Sequence, residues 1–143
     1  MGPKTYEEYL AEAREPKRRR RERQYVEPEH ELQVSCVNWF AYEHQEYKGL
    51  LFAGPTGGRR DAVTGGKLKA EGVVAGVSDL ILLVPRKGHH ALCIEMKTAV
   101  GRQSEAQKEW QWRVEAQGYR YDVVRSLQEF ISTINNYLSN EQD

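Results

Sequence analysis

Two apolar segments of strand length, separated by a short turn, constrain the fold of this chain most strongly. Residues 79–84 read DLILLV and residues 89–97 read HHALCIEMK, with the turn-forming sequence PRKG between them. Short apolar segments joined through proline and glycine are typical of two antiparallel strands in a β-hairpin. We therefore expect a hairpin whose strands are largely buried.

The pairing of this hairpin brings two carboxylates together. A three-residue turn at 86–88 would place Asp79 directly opposite Glu95, whereas a two- or four-residue turn would shift the pair by one residue. In either case both side chains lie at the open end of the hairpin. Because side chains alternate along a strand, Glu95 and Lys97 should point to one face of the sheet, with Ile94 and Met96 on the other.

The remaining segments predict an α/β fold with a mixed sheet. The Ser-x-x-Gln and Ser-x-x-Glu patterns at Ser104 and Ser126 are capping boxes, each of which opens an amphipathic helix. The stretch 54–76 contains seven glycines and predicts a long loop. The predicted elements are, in chain order, a helix at 29–46, a strand at 50–53, the glycine-rich loop, the hairpin, a helix from 104, a strand at 119–124 and a helix ending at Leu138. This order gives a sheet with an antiparallel hairpin, flanked by helices.

The acidic pair and the lysine form a set of groups suited to phosphodiester chemistry. Two carboxylates close together repel each other unless a cation lies between them, and hard oxygen ligands suit Mg²⁺. A lysine two residues further along can stabilise the negative charge that develops on a phosphate under attack. The alternative is that Glu95 and Lys97 are surface residues of an edge strand, paired across the ladder.

Four short motifs in fixed order resemble a known family. They are Gly76-Val77-Ser78-Asp79, Ile94-Glu95-Met96-Lys97, Ser104-Glu105-Ala106-Gln107-Lys108 and Gly118-Tyr119. Together they look like the VRR-NUC domain, the virus-type replication and repair nuclease branch of the PD-(D/E)xK superfamily, over residues 29 to 138. The family commonly has proline before the acidic residue of the first motif, where this chain has Ser78.

The resemblance implies a restriction-endonuclease-like core, ordered αβββαβ with a C-terminal helix, and roles for particular residues. Asp79 and Glu95 match the metal-binding carboxylates, the carbonyl of Met96 would be a further ligand, and Lys97 matches the catalytic lysine. Two more positions match catalytic residues of the family, and each has an ordinary alternative. Glu31, which would bind metal directly or through water, is equally a first-turn glutamate, and Gln107 is equally a capping-box residue.

The resemblance also implies a function. Stand-alone members resemble homodimeric, Mg²⁺-dependent endonucleases that cut branched DNA such as Holliday junctions, and Mn²⁺ is expected to replace Mg²⁺. Three alternatives remain open: a non-catalytic module that binds branched DNA, a flap or exonuclease-type repair nuclease, and a sequence-specific restriction enzyme.

Basic residues are concentrated in two segments, although the 21 lysines and arginines of the whole chain balance 21 acidic residues. Residues 14–23 carry seven basic side chains, among them Arg18, Arg19, Arg20 and Arg21. With a nuclease in view we expect this segment to be a DNA-binding arm within an N-terminal extension at 1–28, ahead of a nuclease domain at 29–143; the alternative is a solvated tail. Four further basic residues precede Asp79 and would face phosphates: Arg59, Arg60, Lys67 and Lys69.

The sequence predicts a cytoplasmic protein without a secretory signal or a membrane span. Cys36 and Cys93 lie far apart in apolar segments, so we expect buried free thiols in a reducing compartment.

Overall fold

The computed structural model describes residues 5–8, 11, 28–54 and 62–139, and for residues 62–65 it describes the backbone alone. The elements are α1 (Pro28–Glu43), a 3₁₀ turn (Gln45–Tyr47), β1 (Leu51–Ala53), α2 (Ala62–Ala70), β2 (Leu80–Leu82), β3 (Leu92–Met96), α3 (Glu105–Ala116), β4 (Arg120–Val124) and α4 (Leu127–Leu138). The four strands form one sheet in the order β1-β2-β3-β4. The β1–β2 and β2–β3 pairs are antiparallel and β3–β4 is parallel, which confirms the predicted mixed α/β sheet flanked by helices.

The hairpin combines the register expected of a three-residue turn with a turn of only two residues. Leu80 pairs with Ile94, a register that puts Asp79 opposite Glu95. At the tip, however, Arg86 bridges His89, and the turn is the two residues Lys87 and Gly88, both with positive φ. A two-residue turn alone would shift the pairing by one residue. Between the turn and β2, however, the three residues 83–85 lie opposite only two, 90–91. The extra residue on the first strand restores the pairing of Leu80 with Ile94.

The expectation of a continuous loop at 54–76 was wrong, because α2 lies within it. Lys67 and Lys69, expected in that loop, lie in the last turn of this helix. Gly72, with φ of 104°, ends the helix: its N–H donates to the carbonyl of Lys69, and the N–H of Val73 donates to that of Leu68. These two bonds satisfy the last carbonyls of the helix, and basic side chains near its C-terminus favour it further. Seven glycines favoured a loop, but one of them, Gly72, is the residue that ends a helix.

The main hydrophobic core lies between one face of the sheet and helices α1 and α4. Its buried members are Cys36, Trp39, Phe40, Leu80, Leu82, Val84, Leu92, Ile94, Met96, Val124, Phe130, Ile134 and Tyr137. The Tyr137 hydroxyl donates a 2.6 Å hydrogen bond to the carbonyl of Val84, which ties α4 to the sheet. Tyr6 packs against the same core. Helix α3 lies on the opposite face, where Trp110 contacts the ring of Tyr121.

Both cysteines are buried and free, as predicted. Burial raises the pKa of Cys36 to about 12 and that of Cys93 to about 11, with the neighbouring Ser78 hydroxyl opposing the second shift. Within the described part of the chain, no helix combines the length and apolar character needed to cross a membrane.

Candidate active site

Asp79 is held at the open end of the hairpin from both sides. Its side-chain oxygen Oδ2 accepts a 2.7 Å hydrogen bond from the backbone N–H of Met96 on β3. Its backbone carbonyl accepts a 3.2 Å bond from the N–H of Gly54, just beyond β1. The residue before it, Ser78, is fully buried and donates to the carbonyl of Leu80. Three strands of the sheet thus fix the position of this carboxylate.

Glu95 is a buried carboxylate on the central strand, with a side chain that is 1% exposed. Its two oxygens have separate donors: Gln107 Nε2 donates to Oε1 at 3.0 Å, and the Tyr121 hydroxyl donates to Oε2 at 3.3 Å. Burial raises the pKa of Glu95 well above its usual range, and the hydrogen bond and negative charge of Asp79 add to the rise, while the charge of Lys97 opposes it. The register that sets Leu80 opposite Ile94 thus brings the two carboxylates side by side, as predicted.

Lys97 lies immediately after β3 and is also largely buried, at 9% exposure. Its backbone N–H bonds to the carbonyl of Val124, which extends the parallel ladder by one residue. The alternative in which Glu95 and Lys97 are surface residues of an edge strand is excluded, because β3 is a central strand and both side chains are buried.

Gln107 caps α3, as the capping-box alternative predicts, and it also contacts Glu95, while its catalytic role stays a prediction. Its amide oxygen accepts the N–H of Ser104 at 2.8 Å, and its own N–H donates to the Ser104 hydroxyl, which completes the capping box. Its amide nitrogen donates to Glu95. One side chain thus caps α3 and fixes that helix to the acidic pair.

These residues fit a hard divalent cation. Glu95 is buried with the negative charge of Asp79 next to it, so the site is short of positive charge, and a cation between the two carboxylates would relieve the repulsion. The N–H of Met96 faces Asp79, and in a β-strand the carbonyl of the same residue faces the same neighbour. Asp79, Glu95 and the Met96 carbonyl therefore offer the oxygen ligands that Mg²⁺ prefers.

Glu31 is not part of a larger acidic cluster. It is exposed in the first turn of α1, as its ordinary role predicts. Across the described ranges, no three histidine, cysteine or acidic side chains come together in a way that could hold a metal ion. A contribution of Glu31 through water stays a prediction.

The expected DNA-contacting residues divide into two groups. Lys67 and Lys69 are exposed on α2. The arginines at 59 and 60 and those at 18–21 lie outside the described residues.

Sequence reasoning missed Tyr121 and Gln103 as members of this site. The structure buries Tyr121, at 8% exposure, beside Glu95. Gln103 Nε2 donates to the Tyr121 hydroxyl at 3.2 Å. Tyr121 reaches Glu95 because the parallel register of β3 and β4 aligns Cys93 with Tyr121. No local sequence pattern encodes a register between strands so far apart in the chain.

The comparisons with known proteins agree with this geometry. A sequence model of the VRR-NUC domain matches residues 6–128. A solved structure described as a "VRR_NUC domain protein" superimposes with a TM-score of 0.68 and 28% identity, over 82% of this chain and 93% of that one. Curated protein sequences gave no match. The family match covers most of the chain, and it starts within the segment that the sequence assigned to an N-terminal extension. The family is of nuclease type, and the chain belongs to it: this is a VRR-NUC domain protein.

Proposed function

We propose that this chain is a Mg²⁺-dependent DNA endonuclease that hydrolyses phosphodiester bonds in branched DNA such as Holliday junctions and acts as a homodimer. The observation that carries the proposal is the acidic pair of half-buried Asp79 and buried Glu95, with the buried Lys97 beside it. An acidic pair with a neighbouring cation, set in a nuclease-type fold, is suited to hydrolysis of a phosphate ester.

Each residue of the site has a distinct task in this reaction. Asp79, Glu95 and the Met96 carbonyl would hold the cation, which when bound activates water and polarises the phosphate. Lys97 stabilises the negative charge that builds on the phosphate oxygens as water adds to phosphorus. The bond to one ester oxygen breaks, that oxygen takes up a proton, and the products are a phosphate monoester and a hydroxyl. Gln107 keeps Glu95 in place during these steps.

Basic side chains would bind the DNA backbone around this site. Lys67 and Lys69 on α2 are exposed and free to reach phosphates. Arg59, Arg60 and the arginines at 18–21 are proposed for the same role on their sequence positions alone.

A non-catalytic module that binds branched DNA is the second candidate. The acidic pair opposes it, because a protein that only binds phosphates gains nothing from two carboxylates at the contact. Flap-type or exonuclease activity, and sequence-specific cleavage, would use the same acidic pair and differ in the DNA that is cut.

A cleavage assay with a matched pair of variants tests the proposal. Labelled four-way junction, flap and linear duplex DNA are incubated with Mg²⁺, Mn²⁺ or EDTA. Lys97→Met keeps the buried aliphatic stem and removes the charge, so we expect cleavage to fall by at least about 100-fold. Lys48→Met, at an exposed lysine after the 3₁₀ turn, should cut like the wild type.

The outcomes separate the candidates. Metal-dependent cutting of the junction that Lys97→Met loses, with junction binding in EDTA retained, supports the endonuclease. Tight binding without cutting by the wild type supports the binding module. Preferential cutting of flaps would support a flap-type repair nuclease, and preferential cutting of one linear sequence would support a restriction enzyme. Light scattering on the purified chain tests the homodimer.

A further inference from the structure

A chain of hydrogen bonds runs from helix α3 to the buried glutamate through two residues that the sequence motifs do not include. Gln103 Nε2 lies 2.9 Å from Gln111 Oε1 on α3 and 3.2 Å from the Tyr121 hydroxyl. The same hydroxyl lies 3.3 Å from Glu95 Oε2. The segment between Lys97 and α3 is thereby bonded to β4 and to the acidic pair.

The direction of these bonds is fixed by the groups involved. An amide nitrogen only donates, so the Tyr121 hydroxyl accepts from Gln103 and has its single proton left for Glu95. The ring cannot turn away easily, because it is buried and contacts Trp110 at 6.1 Å between ring centroids. Tyr121 therefore presents a preoriented donor to one defined oxygen of Glu95.

The two oxygens of Glu95 are thus held from two different elements. Gln107 on α3 takes Oε1 and Tyr121 on β4 takes Oε2. Each carboxylate oxygen has two lone pairs, so one acceptor position per oxygen stays open, where a cation can bind. With both oxygens bound, the carboxylate plane cannot rotate freely.

We propose that Tyr121, oriented by Gln103, is a positioning residue that fixes the Glu95 carboxylate in the geometry that binds the divalent cation, an inference that rests on the proposed function. Partners of this kind behind metal ligands change metal affinity by 10- to 100-fold when removed. Tyr121 acts through Glu95 and touches neither DNA nor the reacting phosphate in this role.

The test is Tyr121→Phe, which removes the hydroxyl and keeps the ring. We expect the Mn²⁺ dissociation constant, measured by calorimetry, to rise by about 10-fold or more. The Mg²⁺ concentration for half-maximal cleavage should rise by the same factor. Cleavage at saturating Mg²⁺ and junction affinity in EDTA should change much less.

Tyr137→Phe is the matched control for a buried tyrosine hydroxyl. It removes the hydrogen bond to the Val84 carbonyl on the opposite face of the sheet. This variant should melt at a lower temperature than the wild type and keep the wild-type Mn²⁺ affinity. Gln103→Met should weaken Mn²⁺ binding in the same direction as Tyr121→Phe, and the double variant should be no weaker than Tyr121→Phe alone.

The following results would contradict the inference or separate it from the proposed function. Unchanged Mn²⁺ affinity in Tyr121→Phe shows that the tyrosine only fills space. Additive losses in the double variant show that Gln103 does not act through Tyr121. If the wild type binds Mn²⁺ but cuts no DNA, the proposed function fails while calorimetry still decides the role of Tyr121; if it binds no Mn²⁺, both fail.

Discussion

At the scale of single residues, the contact between Asp79 and Glu95 works against the stability of the chain. Glu95 is almost fully buried, and the negative charge of Asp79 makes its ionisation harder still. Packing and hydrogen bonds elsewhere must offset this cost, which is the usual situation where a site is arranged for binding a charged group.

Asp79→Asn should separate stability from metal binding. The substitution removes one of two neighbouring charges and keeps an oxygen that can accept the Met96 N–H, so we expect a melting temperature in EDTA equal to or above that of the wild type. Saturation to 100 times the dissociation constant stabilises a protein by about 2.7 kcal/mol, and this Mg²⁺-dependent rise should be lost in the variant. Thermal melts with EDTA and with Mg²⁺ measure both effects. Asp122→Asn is the control: Asp122 pairs with Arg120, so this variant should keep the Mg²⁺-dependent rise in melting temperature. If Asp79→Asn also kept that rise, Asp79 would not be a metal ligand.

At the scale of elements, the approach to the site depends on a close crossing of two backbones. Gly76 has φ of 87°, and a Cβ there would overlap the backbone carbonyl of Ala106 and lie 2.9 Å from the nitrogen of Gln107. The segment that leads to Asp79 therefore lies directly on the first turn of α3. A side chain at this point would push away the turn that carries Gln107.

Gly76→Ala should cost more than its backbone conformation alone explains. Gly49 has nearly the same φ, 85°, with nothing near its Cβ position, so Gly49→Ala gives the strain of the left-handed conformation, about 1–2 kcal/mol. We expect Gly76→Ala to lower the free energy of unfolding by at least about twice as much as Gly49→Ala. Urea denaturation measures both values, and equal losses would show that the crossing adapts without cost.

Arg125 holds the turn that follows Lys97. Its guanidinium donates to the carbonyls of Thr98 at 2.7 Å and Gly101 at 2.6 Å. Arg125→Met should free this turn, so amide hydrogen exchange at 98–101 should speed up and cleavage should fall several-fold, as expected when positioning is lost. Arg113→Met is the control, because it breaks an exposed pair with Glu109. If Arg125→Met kept the wild-type exchange protection at 98–101, other contacts would hold the turn.

At the scale of the whole molecule, a net charge of zero conceals a strongly uneven distribution. Seven basic residues lie within 14–23, while the proposed metal ligands Asp79 and Glu95 are acidic. Net charge therefore says little about the proposed DNA binding, for which we expect the local concentration of charge to matter more.

Neutralising the four arginines at 18–21 to glutamine tests that concentration without deleting Tyr6, which packs on the core. Each lost phosphate contact should reduce the slope of log K against log salt by about 0.9. Junction binding measured across a salt series should thus show a flatter dependence than the wild type. An identical slope would place these arginines away from the DNA.

The sequence by itself determined the features that depend on near neighbours. Apolar segments and turn residues defined the hairpin and its acidic open end, and the capping box defined the start of α3, because these features depend on residues close along the chain. Tertiary structure decided the rest. The burial of Glu95 and Lys97, the double role of Gln107 and the bond from Tyr121 all depend on the parallel β3–β4 register and on α3 packing over it. Burial and register between distant segments are set by how whole elements fill space together, and a local pattern of residues does not encode that.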